Sequence, residues 1–180
     1  MTFLSQFTGF FKKIGFSLES SRWLVRRLIK YSGLRHRENL RILELGAGRG
    51  NVTAEILREI WKNTEITALE YDLDRVKVLE KIAQPHLKII HGDVCNLDRL
   101  CDPESFDIII STLPLGSFDP ETVDIALKNI QKVLKKWGKY IQYQYWMANK
   151  KDIKKYFHIK KIRLEPRNFS PAFIYITEKH

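Results

Sequence analysis

The sequence contains little cysteine, and this scarcity excludes several classes of protein. Cys95 and Cys101 are the only two thiols in 180 residues. Two cysteines are too few for a disulfide scaffold, and their spacing is not that of zinc ligands. We therefore expect two reduced thiols and no metal site.

The sequence also lacks a long apolar run. No stretch approaches the roughly 20 apolar residues that a helix needs to span a bilayer. The N-terminus is rich in Phe but has neither an uninterrupted apolar region nor a small-residue cleavage site. A length of 180 residues with 44% hydrophobic and 29% charged residues is typical of one folded domain. We expect a cytoplasmic, unprocessed protein.

Positive charge is in excess and is unevenly distributed along the sequence. Residues 1–41 carry nine Lys/Arg against two acids, residues 42–127 carry eight against sixteen, and residues 128–180 carry fourteen against three. The three segments have net charges of +7, −8 and +11, within a total of +10. Basic ends around an acidic middle favour a polyanionic partner, either an anionic membrane surface or nucleic acid. A merely well-solvated Lys-rich surface is the alternative.

A glycine-rich stretch, R-I-L-E-L-G-A-G-R-G-N, occupies residues 41–51. Its apolar run predicts a strand, and Gly46 and Gly48 permit a sharp turn that a ligand can approach closely. Helical apolar spacing follows over residues 51–61. A strand, a glycine turn and a helix in this order are typical of a nucleotide-cofactor site in an α/β sheet. The third glycine, Gly50, comes one residue too early for a dinucleotide fingerprint.

Acidic residues end the next two predicted strands. Glu70 closes E-I-T-A-L-E at a position where an acid can bind both ribose hydroxyls of a cofactor. Asp93 closes L-K-I-I-H-G-D. His91 is either a general base or, as is commoner for a lone His at a strand end, structural.

A fourth strand, D-I-I-I, leads into the loop S-T-L-P-L. A helix from Asp119 to Gly138 then precedes a fifth strand, K-Y-I-Q-Y-Q-Y-W.

The N-terminal segment predicts an amphipathic helix. Phe3, Phe7, Phe10, Phe11 and Ile14 share one helical face, close to two lysines. Such a helix is either an in-plane membrane anchor or a cap on the core. Ser20 or Ser21 can cap the basic helix that follows. We divide the chain into residues 1–38, for membrane docking and a substrate lid, and residues 39–180, the cofactor domain.

The pattern E-x-G-x-G-x-G resembles motif I of the class I S-adenosylmethionine-dependent methyltransferases. The resemblance implies a single-domain, Rossmann-like α/β fold with helices on both faces of a mostly parallel seven-stranded sheet, whose last strand is antiparallel. It implies S-adenosylmethionine as cofactor, with Asp93 beside the adenine amine. The cofactor-binding residues that it implies are Glu44, Gly46, Gly48, Gly50, Asn51, Glu70, Tyr71, Asp93, Val94 and Ser111.

Further motifs resemble the soluble bacterial phospholipid N-methyltransferases, which convert phosphatidylethanolamine stepwise towards phosphatidylcholine. Their S-S-R precedes a basic helix, as Ser20-Ser21-Arg22 does here. Their loop S-x-L-P-L-x-S-F is matched over residues 111–118, and their strand Q-[FY]-x-Y over residues 142–145. Their N-x-P-P-A-x-[VI]-Y is matched over residues 168–175, with Ser170 replacing the first Pro. Glu19 stands where the family has a Pro before S-S-R.

The resemblance implies roles for the substrate site. Tyr145 and Gln142 would orient the headgroup amine, with ordinary strand packing as the alternative role for the tyrosine. Ser111 and the Leu113 carbonyl would accept the N–H groups of the amine. Arg22 and Ser21 would hold the phosphate. The implied catalytic residues are therefore Tyr145, Gln142 and Ser111, and the implied substrate-binding residues are Ser20, Ser21, Arg22, Leu113, Pro114 and Tyr145.

Two other functions remain open at this point. An RNA adenine N6-methyltransferase suits the basic surface, but such enzymes resemble one another in a [DNS]-[LIP]-P-[YFW] loop, and here Leu115 replaces the aromatic. A non-catalytic protein that binds membrane or nucleic acid is the other. We expect a monomer that associates peripherally with an anionic membrane, with a phospholipid as substrate, no metal, and nucleic acid as a less favoured partner.

Overall fold

The computed structural model describes residues 21–82, 84–145, 147, 149–167 and 171–180. The Phe-rich segment, Ser20, Asn168 and Ser170 lie outside the described residues. No helix of the described part is long and apolar enough to cross a membrane. The helices are α1 (Arg22–Ser32), α2 (Asn51–Glu59), α3 (Leu73–Leu79), α4 (Leu97–Leu100), α5 (Pro120–Val133) and α6 (Lys150–Tyr156). The strands are β1 (Arg41–Leu45), β2 (Glu65–Glu70), β3 (Leu87–His91), β4 (Phe106–Ser111), β5 (Leu134–Gln144), β6 (His158–Glu165) and β7 (Ala172–Glu178).

These strands form one seven-stranded sheet in the order β3-β2-β1-β4-β5-β7-β6. Strands β1 to β5 pair in parallel, whereas β7 lies antiparallel between β5 and β6. Strands β2 and β3 lie on one side of β1, and β4 and β5 lie on the other, so the strand order switches between β1 and β4. At such a switch point the carboxyl ends of the two strands form a crevice. The fold expected from the sequence is confirmed.

Two hydrophobic clusters cover the two faces of the sheet. Successive side chains of a strand point to opposite faces, so Ile42 and Leu43 enter different clusters, as do Ile108 and Ile109. On the first face α1 contributes four buried residues, Leu24, Val25, Leu28 and Ile29. On the second face α5 and α6 pack over β4 and β5. Helix α1 therefore packs on the same sheet as the cofactor strands.

Capping residues mark helix ends, and Ser21 and Asp119 begin two helices where the sequence predicts. The Ser21 hydroxyl accepts the Leu24 N–H at the start of α1, and Gly33 ends that helix with φ +74°. Asp72 accepts N–H groups from Asp74 and Arg75 at the start of α3. Asp119 caps α5, where Pro120 fills the first turn.

The end of α5 differs from the prediction. We expected the helix to continue to Gly138, but it ends at Val133 and β5 begins at Leu134. Leu134 pairs with Phe106 and the register then shifts, so that Lys139 pairs with Ile108. Trp137 takes φ +64°, and its N–H donates to the Lys179 carbonyl at 2.8 Å. A β-bulge paired with the C-terminus thus replaces the last helical turn.

Candidate functional site

The three glycines of residues 46–50 build a tight turn at the end of β1. Gly46, Gly48 and Gly50 have φ values of +76°, +60° and +91°, which residues with a Cβ rarely adopt. The Gly46 and Ala47 N–H groups both donate to the Leu69 carbonyl, at 2.9 and 3.2 Å. A Cβ built on Gly48 would meet nothing nearer than the Gly46 carbonyl, 3.9 Å away. The turn therefore exposes backbone that a ligand can reach.

The loop after β4 lies directly against this turn. The Thr112 hydroxyl donates to the Gly46 carbonyl at 2.6 Å, and the Thr112 N–H donates to the Leu45 carbonyl at 3.0 Å. A Cβ on Gly46 would lie 3.1 Å from the Leu113 side chain. The Ser111–Leu115 loop and the glycine turn therefore form one packed unit that Thr112 joins, a role for which the sequence gives no signal.

Gly50 allows close packing at the start of α2. Its Cβ would overlap the side chain of Ile82 and come within 3.0 Å of Leu79. The third glycine therefore lets α2 begin close to α3. Asn51, the first residue of α2, is exposed beside it.

Glu70, at the end of β2, organises the turn from the neighbouring strand. Its Oε2 accepts the Gly48 N–H at 2.7 Å, while its Oε1 accepts the N–H groups of Tyr71 and Asp72 at 3.0 and 2.9 Å. The residue is 5% exposed. A carboxylate has about four acceptor positions, so one on Oε2 remains for a ligand hydroxyl.

Glu44, on β1, is a fully buried carboxyl group below the turn. Its Oε2 accepts the Thr53 hydroxyl at 2.6 Å, and its Oε1 has no hydrogen-bond partner among the described residues. Burial raises the pKa of Glu44 to about 8, with a further rise from the charge of Glu70 and an opposing effect from the Thr53 hydroxyl. The sequence suggests no partner for Glu44. Thr53 is its hydrogen-bond partner because the first turn of α2 lies over β1.

Asp93 and its neighbours line the next strand end. The Asp93 carboxylate accepts the Cys95 N–H at 2.8 Å and so caps a short 3₁₀ turn over Val94–Asn96. Val94 is buried, and Tyr71 is half-buried across from this turn. His91 is exposed, with Nε2 2.9 Å from the Tyr71 carbonyl. A ring nitrogen that donates to a backbone carbonyl supports the structural role for His91.

A buried network joins β4 and β5 beneath the loop. The Tyr140 hydroxyl donates to Gln142 Oε1 at 2.6 Å. Gln142 Nε2 donates to the carbonyls of Leu113 and Tyr143, at 2.8 and 2.6 Å. Ser111 is fully buried, and its hydroxyl accepts the Leu113 N–H at 3.3 Å.

This network changes the roles assigned to two residues. Gln142 is fully buried and its amide is bonded at both ends, so it holds the loop instead of orienting an amine. The Leu113 carbonyl already accepts Gln142 and the Leu115 N–H, at 2.8 and 2.9 Å. A carbonyl oxygen has two lone pairs, so the expectation that it accepts a substrate N–H is wrong.

Replacing Gln142 by leucine should loosen the loop. The change leaves the buried Tyr140 hydroxyl without its acceptor and removes one donor each from the Leu113 and Tyr143 carbonyls. A buried polar group left unsatisfied costs about 1–3 kcal/mol. We expect a lower melting temperature and a fall in kcat. Gln131→Leu is the matched control, because Gln131 donates to one backbone carbonyl, that of Tyr156, away from the loop. An equal fall in kcat for both variants would argue against a positioning role for Gln142.

The remaining substrate residues lie around the same edge. Tyr145 follows β5 half-buried, with its ring 5.7 Å from that of Tyr143 in a T-shaped contact. Pro114 is half-buried in the loop and Arg22 is exposed at the start of α1. Ser21 uses its hydroxyl as the cap of α1. Their assignments to the substrate remain predictions.

Comparison with known proteins identifies the family. The sequence profile of the family described as "Methyltransferase domain" matches residues 42–138, which run from β1 to β5. The chain belongs to this family. The methyltransferase uses S-adenosylmethionine, so the cofactor expected from the sequence is confirmed.

One curated relative matches nearly the whole chain. An ornithine lipid N-methyltransferase from Singulisphaera acidiphila is 29% identical over 181 residues, which cover 94% of this chain and 92% of that protein. A ribosomal RNA small subunit methyltransferase H from Polynucleobacter necessarius is 34% identical over 70 residues, which cover 39% of this chain and 22% of that protein.

Solved structures share the fold at low sequence identity. The 1,6-didemethyltoxoflavin-N1-methyltransferase of Burkholderia thailandensis has a TM-score of 0.75 at 14% identity, over 97% of this chain and 86% of that one. TrmN from Thermus thermophilus has a TM-score of 0.73 at 18% identity, over 87% of this chain and 48% of that one. The methyltransferase therefore spans about half the length of TrmN.

The residues at the turn fit this cofactor. S-adenosylmethionine carries ribose hydroxyls and a cationic methionine end, and both need acceptors. Glu70 has one acceptor position to spare, and Glu44 has a buried oxygen without a partner. The space above Gly48 is open.

Proposed function

We propose that this methyltransferase transfers methyl groups to the headgroup amine of a membrane lipid, with phosphatidylethanolamine as substrate. The likeness to an ornithine lipid N-methyltransferase over 94% of the chain carries the proposal. Both lipids present a primary amine at a membrane surface. The phospholipid motifs in the loop and in β5 favour phosphatidylethanolamine, and the relative makes ornithine lipid the substrate to compare.

The loop after β4 supports an amine substrate over a nucleobase. Enzymes that act on bases stack them between aromatic or apolar side chains. Leu115 occupies the corresponding loop position, is fully buried and packs into the core under α5. Thr112, Leu113 and Pro114 form the half-buried part of the loop and carry no aromatic ring. A small aliphatic amine needs no such platform.

Methyl transfer to an amine requires the protein to position the amine and to remove a proton from it. S-adenosylmethionine, when bound, supplies an activated methyl group. The chain must hold a neutral amine about 3 Å from that group and in line with it. The amine must also lose a proton, to water or to a nearby acceptor. Tyr145, half-buried at the end of β5, is the polar side chain that we assign to orienting the amine.

Methylation with radiolabelled cofactor tests the proposal. We expect label to enter phosphatidylethanolamine vesicles and, more slowly, ornithine lipid vesicles. Phosphatidylcholine vesicles are the matched control, because a quaternary ammonium has no free valence for another methyl group. Label in ornithine lipid alone would correct the substrate within the proposed class. Label in none of the lipids would overturn the proposal.

RNA is the second candidate substrate. The match of 70 residues to a ribosomal RNA methyltransferase and the basic termini favour it. Adding bulk ribosomal RNA and transfer RNA to the same assay separates the two functions. Transfer to RNA and not to lipid would replace the proposal.

A further inference from the structure

A groove of about 540 Å³ runs along the outer side of α1. Trp23, Arg26, Arg27 and Lys30 recur at steps of three, one and three, so they share one helical face, opposite the buried Leu24 and Leu28. Arg35 and Arg167 complete the basic lining. We call this surface the α1 groove. Its two acids, Glu55 and Glu59, leave it with five cations against two carboxylates.

A buried acid orders two of these cations. The side chain of Glu165, 2% exposed, accepts Arg27 Nε at 3.1 Å and Arg167 Nε at 2.8 Å. These hydrogen bonds, chiefly those from Arg167, lower the pKa of Glu165 to about 2. A guanidinium has five N–H donors, so each arginine keeps donors for a second anion. The groove therefore holds two preoriented guanidinium groups.

Arg35 pairs with Glu59 at 2.6 Å, whereas the other two cations of the groove are less well compensated. Arg26 lies 3.9 Å from Glu55, at the limit of an ion pair, with its side chain 49% exposed. Lys30 is exposed and has no ion-pair partner within the described part of the chain. Unneutralised charge at these positions attracts an anion from solution.

The groove reaches the substrate edge of the sheet. Glu165 ends β6 opposite Ala172, and the next residue of β7, Phe173, pairs with Gln144 at the end of β5. Arg27 and Arg167 therefore lie at the same carboxyl edge as the glycine turn and the Ser111–Leu115 loop. An anion bound there would lie at the same edge of the sheet as the candidate active site, with β7 and β5 between β6 and β4.

We propose that the α1 groove binds the phosphodiester of an anionic phospholipid and so holds the active-site edge against the membrane. The choice of lipid rests on the proposed function. It also rests on Trp23, which is 43% exposed at the rim, where Trp side chains favour the headgroup region. Arg167 lies over the Trp23 ring at 4.6 Å, so this face carries a cation and does not stack a nucleobase.

Binding of the full chain to vesicles tests the groove. Wild type and Arg26→Gln/Lys30→Gln are compared on phosphatidylcholine vesicles with and without phosphatidylglycerol. A cation near an anionic leaflet contributes roughly fivefold in affinity, so loss of two should weaken binding to the anionic vesicles by roughly 30-fold. The salt dependence of binding should also become shallower. Lys128→Gln/Lys154→Gln removes two exposed charges on the opposite face and should bind nearly as wild type does.

Three results would overturn the proposal: unchanged binding of the groove variant, an equal loss in the control variant, or wild-type binding to single-stranded RNA in preference to the anionic vesicles. Affinity for S-adenosylhomocysteine, measured on each protein, verifies that the variants fold. Methylation of detergent-dispersed phosphatidylethanolamine separates this proposal from the proposed function. If dispersed lipid is methylated but the groove variant binds vesicles normally, the groove assignment fails and the lipid substrate stands.

Discussion

Replacing Glu70 by alanine is expected to weaken S-adenosylhomocysteine binding by roughly 100-fold. We predict that the remaining acceptor position of the carboxylate binds a ribose hydroxyl, and a hydrogen bond to a charged group contributes about 1.5–3 kcal/mol. It also fixes the Gly48 N–H at 2.7 Å, so its loss releases the glycine turn. Isothermal titration calorimetry with S-adenosylhomocysteine measures the effect.

Glu65→Ala is the matched control for this prediction. Glu65 begins the same strand at the opposite edge of the sheet, and its side chain is 70% exposed in an ion pair with Arg41. Its removal should leave the affinity unchanged. Thermal denaturation verifies that Glu70→Ala folds. If folded Glu70→Ala binds S-adenosylhomocysteine as tightly as wild type, the assignment of Glu70 to the cofactor is wrong.

Replacing Glu44 by glutamine should change how stability depends on pH. Burial raises the pKa of Glu44 from 4.5 to about 8, so between these values the folded protein holds a proton that the unfolded chain has released. The contribution of Glu44 to the stability of the wild type is therefore fully present below the lower value and is lost as the pH rises through the folded pKa. The glutamine side chain does not ionise, so the variant has no such dependence on pH at this position. From about pH 4 to about pH 9, the free energy of unfolding of the variant should gain up to roughly 5 kcal/mol relative to wild type.

Denaturant unfolding at a series of pH values measures this gain. Thr53→Val provides a second check, because it removes the hydroxyl donor that opposes the rise in the Glu44 pKa. In that variant the loss of stability should move to higher pH. Parallel stability profiles for wild type and Glu44→Gln would show that Glu44 does not hold a proton in the folded protein.

The two acids of the turn, the buried carboxyl group of Glu44 and the hydrogen-bonded carboxylate of Glu70, have different tasks. Glu70 accepts three backbone N–H groups and shapes the turn before any ligand arrives. Glu44 has an oxygen with no partner in the described structure. A buried polar atom without a partner is uncommon in folded proteins, and a functional role is one explanation for it.

The position of the α1 groove connects this site to the proposed membrane surface. The acidic middle of the sequence contributes the cofactor turn, whereas Arg27 and Arg167 come from the two basic ends. The fold brings these cations to the edge where the substrate loop lies. Their common partner, Glu165, is 138 residues from Arg27 in the sequence.

The sequence by itself determined the local features of this protein. The glycine spacing over residues 46–50 predicted the strand–turn–helix unit, because positive φ values and close backbone approach depend on the residue at each position. Ser21 and Asp119 marked helix starts because a cap is also local: its side chain accepts N–H groups two or three residues away. The acids at the ends of β2 and β3 located the cofactor edge, and the motif resemblance identified the cofactor.

Only the tertiary structure decided the contacts between distant segments. The fully bonded amide of Gln142, the return of Thr53 over Glu44 and the Glu165 pairs depend on strand register and helix placement, which the whole core sets together. The end of α5 at Val133 has the same origin, because pairing of Trp137 with Lys179 near the C-terminus competes with the last helical turn. Local patterns determine which residues begin, turn and end each element. The roles of those residues depend on partners that lie far away in the chain.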